Sequence, residues 1–113
     1  MNPPQIRSNK FRVFLDDERF PPEGQEFEIV RSSQEAINLM ISKGCPEFIS
    51  FDHDLGGEDS GMKVAKYIVE KDLDEPGWIP EHFTFYVHSQ NPTGKRNIEG
   101  LLSQYLDLNS RTA

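Results

Sequence analysis

Residues 48–57 read Phe-Ile-Ser-Phe-Asp-His-Asp-Leu-Gly-Gly. Four residues with the character of a buried strand break at Asp52 into charge and then into glycine, so the strand carries polar chemistry at its carboxyl end. The same design lies upstream, where Phe11 to Leu15 (FRVFL) stops at Asp16-Asp17, and downstream, where Phe83 to Val87 (FTFYV) stops at His88-Ser89. Between these runs the period changes from strand to helix. Ser32 and Glu35 have capping-box spacing ahead of Ala36, Ile37, Met40 and Ile41, and Gly44 ends that segment. Val64, Ala65, Ile68, Val69 and Leu73 define a second helix, with Asp59 or Ser60 offered as its cap. Ile98, Leu101, Leu102, Tyr105 and Leu106 define a third. Phe27 to Val30 supplies a further strand after a loop marked by Pro21, Pro22 and Gly24, and the loop through Gly56, Gly57 and Gly61 is expected to be flexible. The order is β-β-α-β-α-β-α, which predicts a mainly parallel four-stranded sheet covered by helices.

At 113 residues the chain suits a single domain, expected over residues 10–108 with flexible termini at 1–9 and 109–113. A domain of this size buries roughly two thirds of its unfolded surface and needs no staple. Cys45 is the only cysteine, which rules out an intrachain disulfide framework and a cysteine-rich zinc site and suits a reducing compartment. Eight phenylalanines predict a Phe-rich core. No apolar stretch reaches the about 20 residues of a membrane span and the first ten residues do not read as a secretory signal, so a cytoplasmic protein is expected. The formal charge of −7 argues against non-specific binding along duplex DNA, which needs a basic stripe, yet leaves room for a small phosphorylated ligand in one pocket.

In an open α/β sheet, ligands bind outside the carboxyl ends of the strands. Three strand ends here carry chemistry: Asp16, Asp17 and Arg19; Asp52, His53 and Asp54; His88, Ser89 and Asn91. Two readings compete for this mouth. In the first, Asp16, Asp17 and Asp52 hold Mg²⁺, a hard cation that takes carboxylate oxygens and accepts phosphate as a further ligand. In the second, His53 and His88 form a general acid–base pair, with neighbouring carboxylates fixing their tautomers. Arg19, Lys95 and Arg96 would then neutralise an anionic substrate, while Asn91-Pro92 opens the last helix toward a phosphate. The ordinary readings stand beside these: acidic loop residues solvated without function, His88 bonded to a nearby carbonyl, Lys95 and Arg96 as a solvated helix face, and Trp78 as packing. His82 precedes the fourth strand, at the far end from the mouth, and is expected to be structural or exposed.

Taken together, Phe14-Leu15-Asp16-Asp17-Glu18-Arg19, Phe51-Asp52-His53-Asp54-Leu55-Gly56 and His88-Ser89-Gln90-Asn91-Pro92 with Gly94 resemble the cyclic-phosphate processing receiver-like domain family, over roughly Phe11 to Leu106. The resemblance implies a receiver-like, flavodoxin-type three-layer α/β/α fold, truncated relative to a full receiver. It also implies metabolism of cyclic phosphate groups on nucleotides or RNA ends at the aspartates, histidines and nearby polar groups; with the acid–base reading of the mouth, this leads to the expectation of a hydrolysis in which His53, His88, Asp52 and Asp54 are catalytic. Arg19, Ser89, Asn91 and Lys95 would bind phosphate, and Asp16, Asp17 and Asp52 would hold a metal. Against response-regulator receivers, Asp16-Asp17 corresponds to the acidic metal pair and Asp52 to the phosphoacceptor. A fifth strand ending in lysine is missing, and the helix between the first two strands is shortened to the loop around Pro21-Pro22. The alternative is a non-enzymatic degenerate receiver that binds Mg²⁺, a phosphorylated ligand or a protein partner. A third possibility, acidic mimicry of nucleic acid, draws only on the net charge.

Overall fold

The computed structural model describes residues 10–111, with side chains through Leu108. Seven elements follow in the expected order: β1 (Arg12–Leu15), β2 (Glu28–Val30), α1 (Ser33–Lys43), β3 (Phe48–Phe51), α2 (Gly61–Asp74), β4 (Thr84–Val87) and α3 (Pro92–Arg111). All four strands are parallel in the order β2-β1-β3-β4. The chain therefore leaves β1 toward one edge and returns past it to β3 and β4. This reversal puts the topological switch point between the carboxyl ends of β1 and β3, where diverging connections leave a crevice. The ladder runs one residue past each strand: the Asp16 N–H donates to the Val30 carbonyl, that of Asp52 to Leu15 and that of His88 to Phe51, at 3.1, 2.9 and 2.9 Å. Three polar side chains are thus set rigidly at the rim of the sheet.

Alternation along the strands sorts the two faces. Val13, Leu15, Ile49, Phe51 and Val87 are fully buried and pack in one core with Ala36 and Met40 of α1, Val64, Ala65 and Ile68 of α2, and Ile98 and Leu102 of α3. On the other face the Phe14 and Phe27 rings meet at 5.8 Å, and the Arg12 guanidinium lies over Phe27 and Phe48 at 4.6 and 5.0 Å. No helix forms between β1 and β2 and, among the described residues, no fifth strand follows α3. The fold is receiver-like but truncated: α1, α2 and α3 share the core on one face of the sheet, so the expected three layers are two among the described residues, and Phe14, Phe27, Phe48 and Arg12 cover the other face. Residues 1–9, expected to be flexible, lie outside the described residues; α3 continues past the expected domain boundary at 108.

The helices form where the sequence places them, with local corrections. Ser32 caps α1, its Oγ accepting from the Glu35 N–H at 3.1 Å, and Glu35 Oε1 accepts from the Arg31 N–H at 2.8 Å. Of the two residues offered as the cap of α2, Ser60 is its N-cap, without a side-chain cap bond, whereas the Asp59 carboxylate accepts from the Ser60 N–H and reaches across to the Ser33 N–H and Oγ in the first turn of α1. Gly61 belongs to α2 instead of a flexible loop, because its N–H donates to the His53 carbonyl at 2.7 Å and a Cβ there would overlap the Asp52 carbonyl oxygen. Leu73 and Ile41, read as inward positions, are 62% and 67% exposed. In α2 the inward stripe passes from Ile68 to Asp72, one full turn on, which rotates Leu73 outward. Buried Asp72 accepts from the Tyr105 hydroxyl at 2.7 Å and the Ile79 N–H at 2.9 Å, tying α2 to α3 and to the turn before β4. Cys45 is buried, and its burial pushes the thiol far above its ordinary pKa, so it is chemically quiet. Trp78 packs on the core against Tyr67, and His82 is exposed.

Candidate functional site

An open cavity of about 640 Å³ lies at the carboxyl ends of the strands. Its walls come from three segments: Asp16 to Arg19 after β1, Asp52, Asp54 and Gly56 after β3, and Ser89 to Pro92 after β4. The convergence expected from the strand ends is therefore present. It forms because β3 lies between β1 and β4.

Asp16 is the most heavily bonded group of the site and is 1% exposed. Its Oδ1 accepts from the Glu18 and Arg19 N–H groups at 2.9 and 2.8 Å, and its Oδ2 meets Arg19 Nε at 3.1 Å and His88 Nε2 at 3.0 Å. Burial acts to raise the Asp16 pKa, but the two backbone donors, the His88 ring and the Arg19 charge overcome it and hold the carboxyl below its ordinary range. Asp52 goes the other way. It is 6% exposed, and burial together with the negative charge of Asp16 raises its pKa against the opposing pull of His88 and Arg19. Two facing carboxylates thus differ in protonation tendency, one anchored as an anion and the other inclined to hold a proton. Arg19 spans both, with Nη2 3.6 Å from Asp52 Oδ2, and its own side chain is 46% exposed.

His88 sits behind Asp16. Its ring stacks on Phe14 with centroids 4.7 Å apart and an interplanar angle of 1°, and its Nδ1 meets Ser50 Oγ at 2.7 Å. Both ring nitrogens are therefore engaged by the protein. Because ionised Asp16 only accepts, Nε2 carries the proton. His53 sits behind Asp54 in a similar way, Nδ1 to Oδ1 at 2.8 Å, with its ring against Gly94, where a Cβ would overlap it. The hydrogen bonds from His53 and Asn91 lower the Asp54 pKa. Neither histidine lines the cavity; each touches a carboxylate that does. Asn91 caps α3, its Oδ1 accepting from the Gly94 N–H at 2.9 Å, and its Nδ2 reaches both Asp54 oxygens at 3.3 Å. Ser89 Oγ accepts from the Asn91 N–H at 3.0 Å. Asp17 lines the mouth. Lys95 is not drawn in: its Nζ lies 5.8 Å from the centroid of the Tyr86 ring.

Asp16, Asp52 and His88 offer ligand atoms within 4.8 Å of one another, a spacing that one metal ion can span. The oxygen pair suits a hard divalent cation and the imidazole a softer one. Arg19 already neutralises the two carboxylates, so a bound cation would compete with its guanidinium for them.

Two structural partners of the site escape a reading by residue type. Ser50 looks like an ordinary strand residue, and only the register of β3 against β1 and β4 aims it at His88. Arg31 follows β2, yet its Nη1 donates to the Asp16 carbonyl at 3.0 Å and the Arg19 carbonyl at 2.6 Å, clamping the turn that carries the acidic pair. Alternation within FISF, which puts Ser50 on the face opposite the core, was the available signal for the first; nothing local marks the second.

Comparison with curated proteins and with solved structures finds no match. A family model, the cyclic-phosphate processing receiver domain, matches residues 11–104. That span holds all four strands and all three loops of the cavity. With the parallel four-stranded sheet and the acidic strand ends in agreement, the chain belongs to the cyclic-phosphate processing receiver domain family.

Proposed function

We propose that this mouth hydrolyses cyclic phosphate groups on nucleotides or RNA ends. The observation that carries the reading is the pair Asp16 and Asp52, with opposite pKa shifts, spanned by Arg19 at an open cavity. Opening a cyclic phosphodiester requires water to attack phosphorus and the leaving ribose oxygen to gain a proton. In this reading Arg19 turns toward the phosphate oxygens, a planar donor matched to an anion. Asp52, whose pKa is raised, exchanges the proton with water or the leaving oxygen. Asp16 stays ionised and holds Arg19. Asp54, which also lines the cavity, forms a second carboxylate–histidine pair with His53 behind it, with Ser89 and Asn91 shaping the phosphate end. His88 serves through Asp16, since both its nitrogens are occupied. Asp16 and Asp52, with Asp17 at the rim, would hold Mg²⁺, which when bound supplies Lewis-acid polarisation of a phosphoryl oxygen.

The test is turnover of 2′,3′-cyclic nucleotides and cyclic-phosphate-ended RNA, with and without chelator, resolved by chromatography, for the wild type, Asp52→Asn and the His53→Ala, His88→Ala double variant. Loss of about 10²-fold or more in the variants is expected for groups that move or direct a proton. Variants that keep the wild-type rate would remove those residues from the mechanism. A second reading, a module that binds Mg²⁺ or a phosphorylated ligand without turnover, is favoured by the fully engaged His88 ring. It predicts binding through Asp16, Asp17 and Asp52 that survives the histidine double substitution.

A further inference from the structure

We infer that Ser50 is a positioning residue of this site, holding the His88 ring so that its Nε2–H is aimed at Asp16; the inference rests on the proposed reading of the mouth. Four observations converge on it. Ser50 Oγ lies 2.7 Å from His88 Nδ1, and the opposite ring nitrogen lies 3.0 Å from Asp16 Oδ2, so serine, imidazole and carboxylate form one continuous relay. Ser50 is 6% exposed, in the middle of a central strand whose register with β1 and β4 is fixed on both sides. Phe14 stacks flat on the ring and fixes its plane. Stacking is the same after a half-turn of the ring about Cβ–Cγ, so the polar partners at the two nitrogens, Asp16 at Nε2 and Ser50 at Nδ1, are what distinguish the observed orientation from the flipped one.

The hydroxyl can donate or accept at that contact, and the protonation of the ring selects which: an imidazolium would donate Nδ1–H to Ser50 Oγ. Asp16 is an acceptor, so Nε2 donates to it. In the neutral imidazole Nδ1 is then a lone pair, and Ser50 O–H donates to it. The residue types are those of a hydrolase triad, but the connectivity is not: the serine meets Nδ1, and its hydroxyl is buried under the sheet face instead of opening on the cavity. Ser50 is therefore no nucleophile. It acts at a distance, through His88, on the carboxylate that holds Arg19, in the way that outer hydrogen bonds orient the ligating groups of metal sites.

The experiment is long-range ¹H–¹⁵N correlation of the histidine rings in the ¹⁵N-labelled full chain in chelator-containing buffer, with His88 assigned by its loss in His88→Gln. In the wild type a single Nε2–H tautomer with a solvent-protected ring proton is expected. In Ser50→Ala that proton is expected to exchange at least about ten times faster and the two ring nitrogen shifts to converge, while Ser50→Thr restores the wild-type pattern. If Ser50→Ala loses the dispersed amide spectrum of a folded chain, Ser50→Cys preserves the volume with a weaker donor and carries the same comparison. A protected Nε2–H that persists in the hydroxyl-free variant would overturn the inference, assigning the orientation to Phe14 and Asp16 alone. In the cyclic-phosphate assay, Ser50→Ala is expected to lower kcat by about 10-fold with KM unchanged. A wild type that turns nothing over would sink the enzymatic reading, and the ring spectra would still decide the role of Ser50.

Discussion

Asp52 sits in the mouth at a cost to stability, and that cost gives the clearest prediction at the scale of single residues. Its pKa is raised in the fold, so its contribution is favourable when protonated, below the unfolded carboxyl range, and is lost as pH rises through the folded value. Asp52→Asn is therefore expected to raise Tm at pH 7. The gain should vanish at about pH 3, where the wild-type carboxyl is protonated in both states. Scanning calorimetry at the two pH values checks this, and a lower Tm at pH 7 would mean that the contact with Arg19 outweighs burial. Such a residue, kept against stability, is what a working site leads one to expect. Arg31 lies on the other side of the ledger. Its two hydrogen bonds to the carbonyls of Asp16 and Arg19 are charge-assisted but partly exposed, so Arg31→Met is expected to cost about 1–2 kcal/mol in urea denaturation.

Elements meet the site through glycines that leave no room for a side chain. The first turn of α2 presses Gly61 onto the Asp52 carbonyl, which belongs to the backbone and cannot turn aside. Gly61→Ala is expected to cost about 3 kcal/mol or more, read as a fall in the urea midpoint. Gly94 in α3 presses instead on the root of the His53 ring, around Cγ, so the whole side chain must swing about Cα–Cβ to make room. Gly94→Ala should therefore cost about 1–2 kcal/mol, less than Gly61→Ala because a side chain can shift where backbone cannot and part of the overlap is offset by the gain in helix propensity, and it should displace His53 from Asp54. The contrast between a large loss at Gly61 and a smaller loss with a displaced ring at Gly94 is measurable by denaturation and by the His53 ring shifts. Equal losses would show that the ring is as immovable as the backbone. Ser32→Ala, which deletes the α1 cap, is expected to cost about 1 kcal/mol.

Across the whole molecule, stability follows the sheet and its acidic ties. β1 and β3 are paired on both sides, whereas β2 and β4 are edges, so amide exchange in β1 and β3 should be slower by at least about tenfold. Asp16 and Asp59 both have pKa values lowered by the hydrogen bonds they accept, against burial that acts to raise them. Their stabilisation is complete above the ordinary carboxyl range and is lost as pH falls through their lowered folded values. Asp59 links the loop after β3 to the start of α1, so Asp59→Asn should reduce stability at pH 7 and shrink the difference from wild type in acid. No described helix is long and apolar enough to cross a membrane.

What the sequence determined by itself was the element order and the mouth. Short apolar runs such as FRVFL and FISF admit few alternatives to buried strands, and a polar residue just beyond a parallel strand must lie at its carboxyl end. The three acidic and histidine-bearing blocks could be recognised because each is contiguous in the chain. Pairings between distant residues were decided only by tertiary structure. The order β2-β1-β3-β4 brings Asp16 against Asp52 and His88, gives the two carboxylates opposite pKa shifts, and turns Ser50 and Arg31 into parts of the site. It also ties Asp59 to the first turn of α1 and leaves Lys95 outside the cavity. Burial and hydrogen-bond partners are properties of packing, and no local pattern of residue types encodes which of two buried carboxylates will gather the donors that hold it ionised.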